Sequence, residues 1–329
     1  MAVSNESDEF MYGSELIGRG YVTHTDLTVG ITMWIAALLA VIFGCMNIYI
    51  VWKMPIFHNS FGALWMSRTI GEVGANIVHV VYSAPVTIIY PLKTSEARSL
   101  LKTDLPLVSL TTSPACVLHQ VVATNRLVAV CFPMRYKAIF SKRVTKIIIV
   151  YCWTEVTVIM ALYYVLPCSI IGYSPKFYEY VFIKCPADMQ RETSLAGTLV
   201  NRSCFCLCLS ASIIDAVTLS KIVHMTLFKK TAQNNKKFRR DIRFFGQTSV
   251  QNLIMMISCF FIVIANNGYM RDTVSISILA FDTLIITHLI NALALLIFNP
   301  EVRKFLSSSI STLLVSQEST TIARQFVQP

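Results

Sequence analysis

Residues 27–52, LTVGITMWIAALLAVIFGCMNIYIVW, carry no charged side chain over their whole length. A helix of about 20 apolar residues is enough to cross the hydrocarbon core of a bilayer. The run therefore reads as a membrane span. The stretch before it opens MAVSNESDEF, acidic and without the basic start of a secretory signal, so residues 27–52 are expected to act as an uncleaved anchor.

The rest of the chain has the same character. Of 329 residues, 54% are hydrophobic and 14% charged, and the mean hydropathy is +0.59. These values indicate a membrane protein rather than one or two soluble domains. The net charge of +10 resides in short basic clusters between uncharged runs, as in loops beside lipid, and does not suggest a nucleic-acid surface. Ten cysteines do not make a disulfide scaffold, because all but Cys185 fall in or beside apolar runs.

Six more runs follow the first, at 63–90, 106–132, 144–171, 194–227, 246–268 and 274–298. The expected fold class is an all-α membrane protein, a seven-transmembrane helix bundle. Arg135, Lys137, Lys142, Arg143 and Lys146 gather after the third run, and Lys229, Lys230, Lys236, Lys237, Arg239, Arg240 and Arg243 after the fifth. In a seven-span chain those loops share one side. The positive-inside rule then puts the N-terminus outside and the C-terminus in the cytoplasm. On the outer side, segment 172–193 sets Lys176, Lys184 and Arg191 against Glu179, Asp188 and Glu192, and reads as a loop. The sequon Asn5-Glu6-Ser7 lies where glycosylation of Asn5 could occur.

The organisation expected is an extracellular segment 1–26, a seven-transmembrane domain 27–306 with a surface helix starting near 300, and a Ser/Thr-rich cytoplasmic tail 307–329. In the surface helix Val302, Phe305 and Leu306 recur at helical spacing opposite Arg303 and Lys304. The tail is either a disordered end or a target of regulatory phosphorylation.

One arginine stands at the inner edge of the third run, in ATNRLVAVCFPMRY, 123–136. Alone, Arg126 would read as a side chain snorkelling to the interface. Its neighbours say more. The stretch resembles the DRYxAIxxPLxY signature of rhodopsin-like G-protein-coupled receptors, with Asn125-Arg126-Leu127 for Asp-Arg-Tyr, and Ala129, Pro133 and Tyr136 at matching positions. Trp153 matches the tryptophan of the fourth span, Asn47 the asparagine of the first and IFNPEVRKF, 297–305, the helix after the seventh. NRxxAVxFPxxYxxIFSxxVTK, with FFGQTSVQNL and IFNPEVRKF, resembles more narrowly the nematode serpentine receptors of class X, a family of chemosensory receptors.

That resemblance implies a plasma-membrane receptor, sited at a sensory cilium if chemosensory, that binds an extracellular small molecule and acts on a heterotrimeric G protein. Asn125, Arg126, Pro133 and Tyr136 would form the coupling switch, while Asn47, Trp153 and Asn291 would be structural. The chain departs from the wider pattern in several places. Asn125 cannot form the usual acid–arginine pair, and Asn291-Ala292-Leu293-Ala294-Leu295 lacks the proline and tyrosine of Asn-Pro-x-x-Tyr. The sixth run has no Cys-Trp-x-Pro. No cysteine stands at the top of the third, so Cys185 either bridges Cys168 or stays reduced.

Ionisable side chains inside spans are costly and usually face the interior. Arg202 and Asp282 both lie about 12 Å below the outer ends of their runs, at about 1.5 Å per residue. They are expected either to share a cavity, with one contacting ligand, or to serve as a salt bridge or as unrelated groups. His79 and His288 are lesser ligand candidates; single histidines at such depth more often bond a neighbouring helix. Glu72, Glu155 and Asp215 read as interhelical polar contacts.

No cofactor and no metal site is expected. Cys204, Cys206 and Cys208 alternate by two and cannot converge from one helix, and Cys204 and Cys208 share a face for packing. HExxH, a phosphate-binding glycine loop and a nucleophile elbow are all missing from the sequence, which argues against an enzyme. Two rival readings are a seven-span ligand-gated channel or transporter subunit, which isolated charges on different spans do not favour, and a receptor relative that no longer couples and acts as a decoy.

Overall fold

The computed structural model describes residues 19–89, 105–165, 171–182, 195–228, 236–265 and 274–308. Asn5, Cys168, Cys185 and the tail beyond 308 lie outside them. Seven long helices occur among the described residues: α1 (His24–Lys53), α2 (Ser60–Ile89), α3 (Leu105–Cys131), α5 (Lys142–Val165), α6 (Leu195–Phe228), α7 (Lys236–Ala265) and α8 (Val274–Phe298). Short helices α4 (Pro133–Ile139) and α9 (300–308) follow α3 and α8. Four of the long helices contain segments long and apolar enough to cross a membrane: His24–Lys53, Ser60–Ile89, Gly197–Met225 and Ile278–Phe298.

The helices pack with apolar side chains outward and polar ones inward. Trp34, Ile35, Ile42, Tyr49 and Trp52 of α1 are exposed, whereas Arg68, Glu72, Asn76, His119, Gln251, Asn252 and Asn291 are buried. Solvation by lipid accounts for this inversion, since hydrocarbon does not penalise exposed leucine-like surface but does penalise an unpaired polar group. Neighbours in the bundle run α1–α2–α3–α6–α7–α8 and back to α1, with α5 against the outside of α3 and α2.

Local chemistry fixes the helix ends. Thr23 caps α1 in a reciprocal capping box: its side chain accepts from the Asp26 N–H, and the Asp26 carboxylate accepts from the Thr23 N–H at 2.7 Å. Asn59 caps α2 by accepting from the Gly62 N–H at 3.0 Å. Within α2, residues His79–Ser83 form a π-helical turn ahead of Pro85. Proline has no N–H to continue the ladder, and a widened turn there is a common accommodation.

Three sequence expectations change. The fourth apolar run is expected to reach residue 171, but Ile171 opens a strand. Segment 172–193 is not simply a loop either: β1 (Ile171–Ser174) pairs antiparallel with β2 (Glu179–Phe182). Strands of four residues are too short to leave a periodic signal against aromatic-rich surroundings. Charged residues assigned to the loop after the fifth run also extend α7, which starts at Lys236 rather than near 246.

Candidate functional site

At one end of the bundle the hairpin packs onto α1 and α2. Tyr173 and Tyr178 are buried with Val29, Met33, Ala37, Ala84 and Ile285. The Tyr173 hydroxyl pairs with Thr87 Oγ1 at 2.6 Å, and the Tyr180 hydroxyl pairs with Ser83 Oγ at 2.7 Å. His79 Nδ1 lies 3.2 Å from that Ser83 oxygen, so the hairpin connects through one hydroxyl to a buried histidine. The hairpin turn is fastened to the start of α1. Tyr178 and Arg19 both donate to Asp26 Oδ1, Arg19 at 2.8 Å, and Arg19 also donates to the Lys176 carbonyl at 2.7 Å. Tyr178 has φ 61°, a left-handed conformation uncommon for a side-chain-bearing residue, and these bonds hold it.

The electrostatics of this latch follow from its neighbours. Burial, and then the bond to the Asp26 carboxylate, pushes the Tyr178 phenol above its ordinary value. Partial burial works against the Arg19 charge, but the Tyr178 and Asp26 partners outweigh it and raise that group too. Burial raises the Tyr173 phenol, and among its electrostatic neighbours is Asp282. Asp282 is half-buried and has no hydrogen-bond or ion-pair partner among the described residues.

Deeper in the bundle, Glu72 is the hub of a polar cluster. Arg68 Nε lies 3.3 Å and His119 Nε2 3.7 Å from its Oε1, and the Asn291 amide donates to the same oxygen at 2.7 Å. Arg68 reaches Gln251 at 3.3 Å, and Gln251 donates to the Asn291 carbonyl at 3.1 Å. Asn76 donates to the Glu72 carbonyl at 2.7 Å and to His288 Nδ1 at 3.0 Å. On the other flank His119 meets Asn252, whose amide donates to Asp215 at 2.7 Å. These contacts join α2, α3, α6, α7 and α8. A carboxylate this deep persists because each neighbour supplies a donor or a positive charge.

At the basic end, Arg126 is 7% exposed. Its guanidinium donates to the Phe245 carbonyl at 3.4 Å, and its central carbon lies 5.1 Å from the Phe61 ring centre and 5.9 Å from that of Phe245. Thus Arg126 sits between α2 and α7 rather than at an interface. Asn125 faces Tyr136, with amide and hydroxyl 3.3 Å apart, and Pro133 is in the first turn of α4. Asn47 donates to the Ala292 carbonyl at 2.8 Å and Trp153 to Ser67 at 2.9 Å, each joining two helices.

The site residues read from the sequence divide accordingly. His288 and Asn291 enter the Glu72 cluster, His79 bonds Ser83 below the hairpin, and Asp282 stands near Tyr173. Arg202 is exposed on α6 and Asp282 is half-buried on α8, and no ion pair joins them among the described residues. Equal depth does not fix azimuth, and each residue turns about 100° from the last on a helix. Arg68, His119, Gln251 and Asn252 were not singled out as one cluster, because their partners lie on other helices. The only sequence signal was their polarity within apolar runs.

An apolar exterior around a polar interior defines a multi-pass membrane protein. Residues 35–299 match the family described as serpentine type 7TM GPCR chemoreceptor Srx, and the chain belongs to that family. This is the class to which the NRLVAVCFPMRY resemblance pointed, and it is a receptor family rather than an enzyme family. No curated protein matches the chain.

Proposed function

We propose that this chain is a seven-span plasma-membrane chemoreceptor, N-terminus outside and C-terminus in the cytoplasm, that transmits binding of an external small molecule to a heterotrimeric G protein. The observation that carries this reading is Arg126, enclosed between Phe61 of α2 and Phe245 of α7 and bonded to a backbone carbonyl of α7. Separation of α7 from α3 would release a planar guanidinium able to donate several bonds to carbonyls of an inserted helix, a geometry lysine lacks. Basic residues of α4 and of the start of α5 flank that end and would meet an acidic partner or anionic lipid.

On this reading the ligand enters at the hairpin end. Asp282 is its polar anchor, since a half-buried carboxylate with no described partner favours a cationic or hydrogen-bond-donating group. His79, coupled through Ser83 to Tyr180, would sense displacement of the hairpin. A ligand shifts the bundle only by binding its open and closed arrangements unequally, and a hairpin latched to α1 provides two such arrangements.

Nucleotide exchange on a panel of Gα subunits, with the receptor reconstituted in membranes and given mixed chemical extracts, tests the proposal. Exchange should rise with an active extract and vanish in Arg126→Ala, while Asp282→Asn should lower extract potency and leave maximal exchange intact. A well-folded receptor giving no exchange with any Gα would refute coupling. Unchanged potency in Asp282→Asn would refute the anchor alone.

A further inference from the structure

Three cysteines from three helices converge inside the bundle. The sulfurs of Cys116 on α3, Cys208 on α6 and Cys259 on α7 all lie within 4.8 Å of one another, and those of Cys208 and Cys259 are 3.7 Å apart. All three are buried, and Met255 and Leu284 complete the cluster. Cys204, one turn before Cys208, borders Cys116 but stands outside the group of three. Cys206, between them on α6, is exposed on the opposite side.

We propose that Cys116, Cys208 and Cys259 form a binding site for a soft monovalent metal ion, Cu(I). A metal at about 2.3 Å from three sulfurs in a plane holds those sulfurs about 4.0 Å apart. The 3.7 Å between Cys208 and Cys259 and the 4.8 Å limit on the whole group lie close to that spacing, within reach of side-chain adjustment. The thioether of Met255 and the ring of Phe205 pack against the group and add polarisable surface. Such a donor set rejects magnesium and calcium and selects thiophilic ions. Structural zinc sites close with four ligands in a tetrahedron, whereas this group offers three convergent sulfurs.

Binding forms copper–sulfur bonds and releases thiol protons to solvent; copper remains Cu(I), so no oxidant or reductant is consumed. The ion would cross-link α3, α6 and α7. Cys259 lies about 10 Å along α7 from Asn252, at about 1.5 Å per residue, so the cross-link adjoins the Glu72 cluster without entering it.

The test is anaerobic titration of the purified full chain in nanodiscs with Cu(I) supplied as its bathocuproine disulfonate complex, followed by X-ray absorption at the copper edge. About one Cu(I) per chain should transfer from the chelator, with sulfur-only neighbours in three-coordinate geometry. Cys206→Ser should bind as the parent does, and Cys208→Ser and the triple serine variant should leave the copper with the chelator. No transfer to the parent chain overturns the site. So does undiminished transfer to Cys208→Ser together with nitrogen or oxygen neighbours in the parent's spectrum. A four-sulfur spectrum with Zn(II) preferred in competition overturns the copper assignment. Should the triple variant fail to fold, the parent's spectrum and Cys208→Ser carry the decision.

Discussion

Arg126 on α3 donates to the main-chain carbonyl of Phe245 on α7, at 3.4 Å, while the Phe61 ring faces the same guanidinium from α2. Because the acceptor is backbone, the bond survives replacement of the Phe245 side chain and the aromatic enclosure does not. A cation–ring contact contributes about 0.5–2 kcal/mol, more when desolvated. Phe245→Leu should therefore raise ligand-independent nucleotide exchange several-fold, and Phe61→Leu should do the same. Arg126→Lys should keep the charge yet lose most ligand-driven exchange, since an ammonium cannot reproduce the planar donor set. Basal exchange unchanged in both leucine variants would show that the enclosure does not restrain α7.

Glu72 accepts from Asn291 and faces Arg68 and His119, all of them buried. Removing one member of such a set leaves the others' charge and donors uncompensated, at a cost of about 3–5 kcal/mol. Glu72→Leu should lower the thermal stability of the detergent-solubilised protein sharply. Arg68→Met combined with Glu72→Leu should recover part of that loss, as the paired charges leave together. A double variant no more stable than Glu72→Leu would mean that the pair is not energetically coupled.

The bundle was readable because lipid solvation writes itself as uninterrupted apolar runs, and α1 and α8 fall close to the runs 27–52 and 274–298. Arg126, Trp153 and Asn47 were readable because the motif lies in a continuous stretch or at fixed spacing. Glu72 and Asp215 were readable as interhelical polar contacts, but their partners were not: His119, Gln251, Asn252 and Asn291 are brought to them by helix azimuth and packing, which a linear pattern does not encode. The same limit hid Cys116 and Cys259 from Cys208, whose sequence neighbours Cys204 and Cys206 suggested only packing. Arg202 and Asp282 meet the same limit, since equal depth along two helices carries no information about azimuth.

Gly62 lies against the turn between α1 and α2. A β-carbon there would meet the Phe57 carbonyl oxygen at 1.9 Å, and backbone cannot rotate aside as a side-chain tip can. Gly62→Ala should destabilise by about 1–3 kcal/mol, the range for overpacking, through displacement of the Pro55–Phe57 turn. Gly246→Ala is the matched control, with nothing within 4 Å of its added carbon. Thermal unfolding of the two variants in the same detergent separates a steric effect from a general cost of replacing glycine, and equal shifts would exclude the steric account.

The latch between the hairpin and α1 has a defined pH sense. Tyr178 donates to Asp26 only while its phenol is protonated, and the folded environment raises that group's pKa, as it raises that of Arg19. Stabilisation from a raised group is complete below its unfolded value, about 10 for tyrosine, and disappears as pH climbs through the folded value. The hairpin should accordingly stay docked across neutral pH and loosen in strong alkali. Tyr178→Phe removes a bond to a charged acceptor, a loss of about 1.5–3 kcal/mol, and should increase hydrogen exchange in residues 171–182 at pH 7. Alkaline absorbance titration should show one late-ionising phenol fewer in that variant. Exchange in the hairpin that changes between pH 6 and 8 in the parent protein would assign its docking to another group.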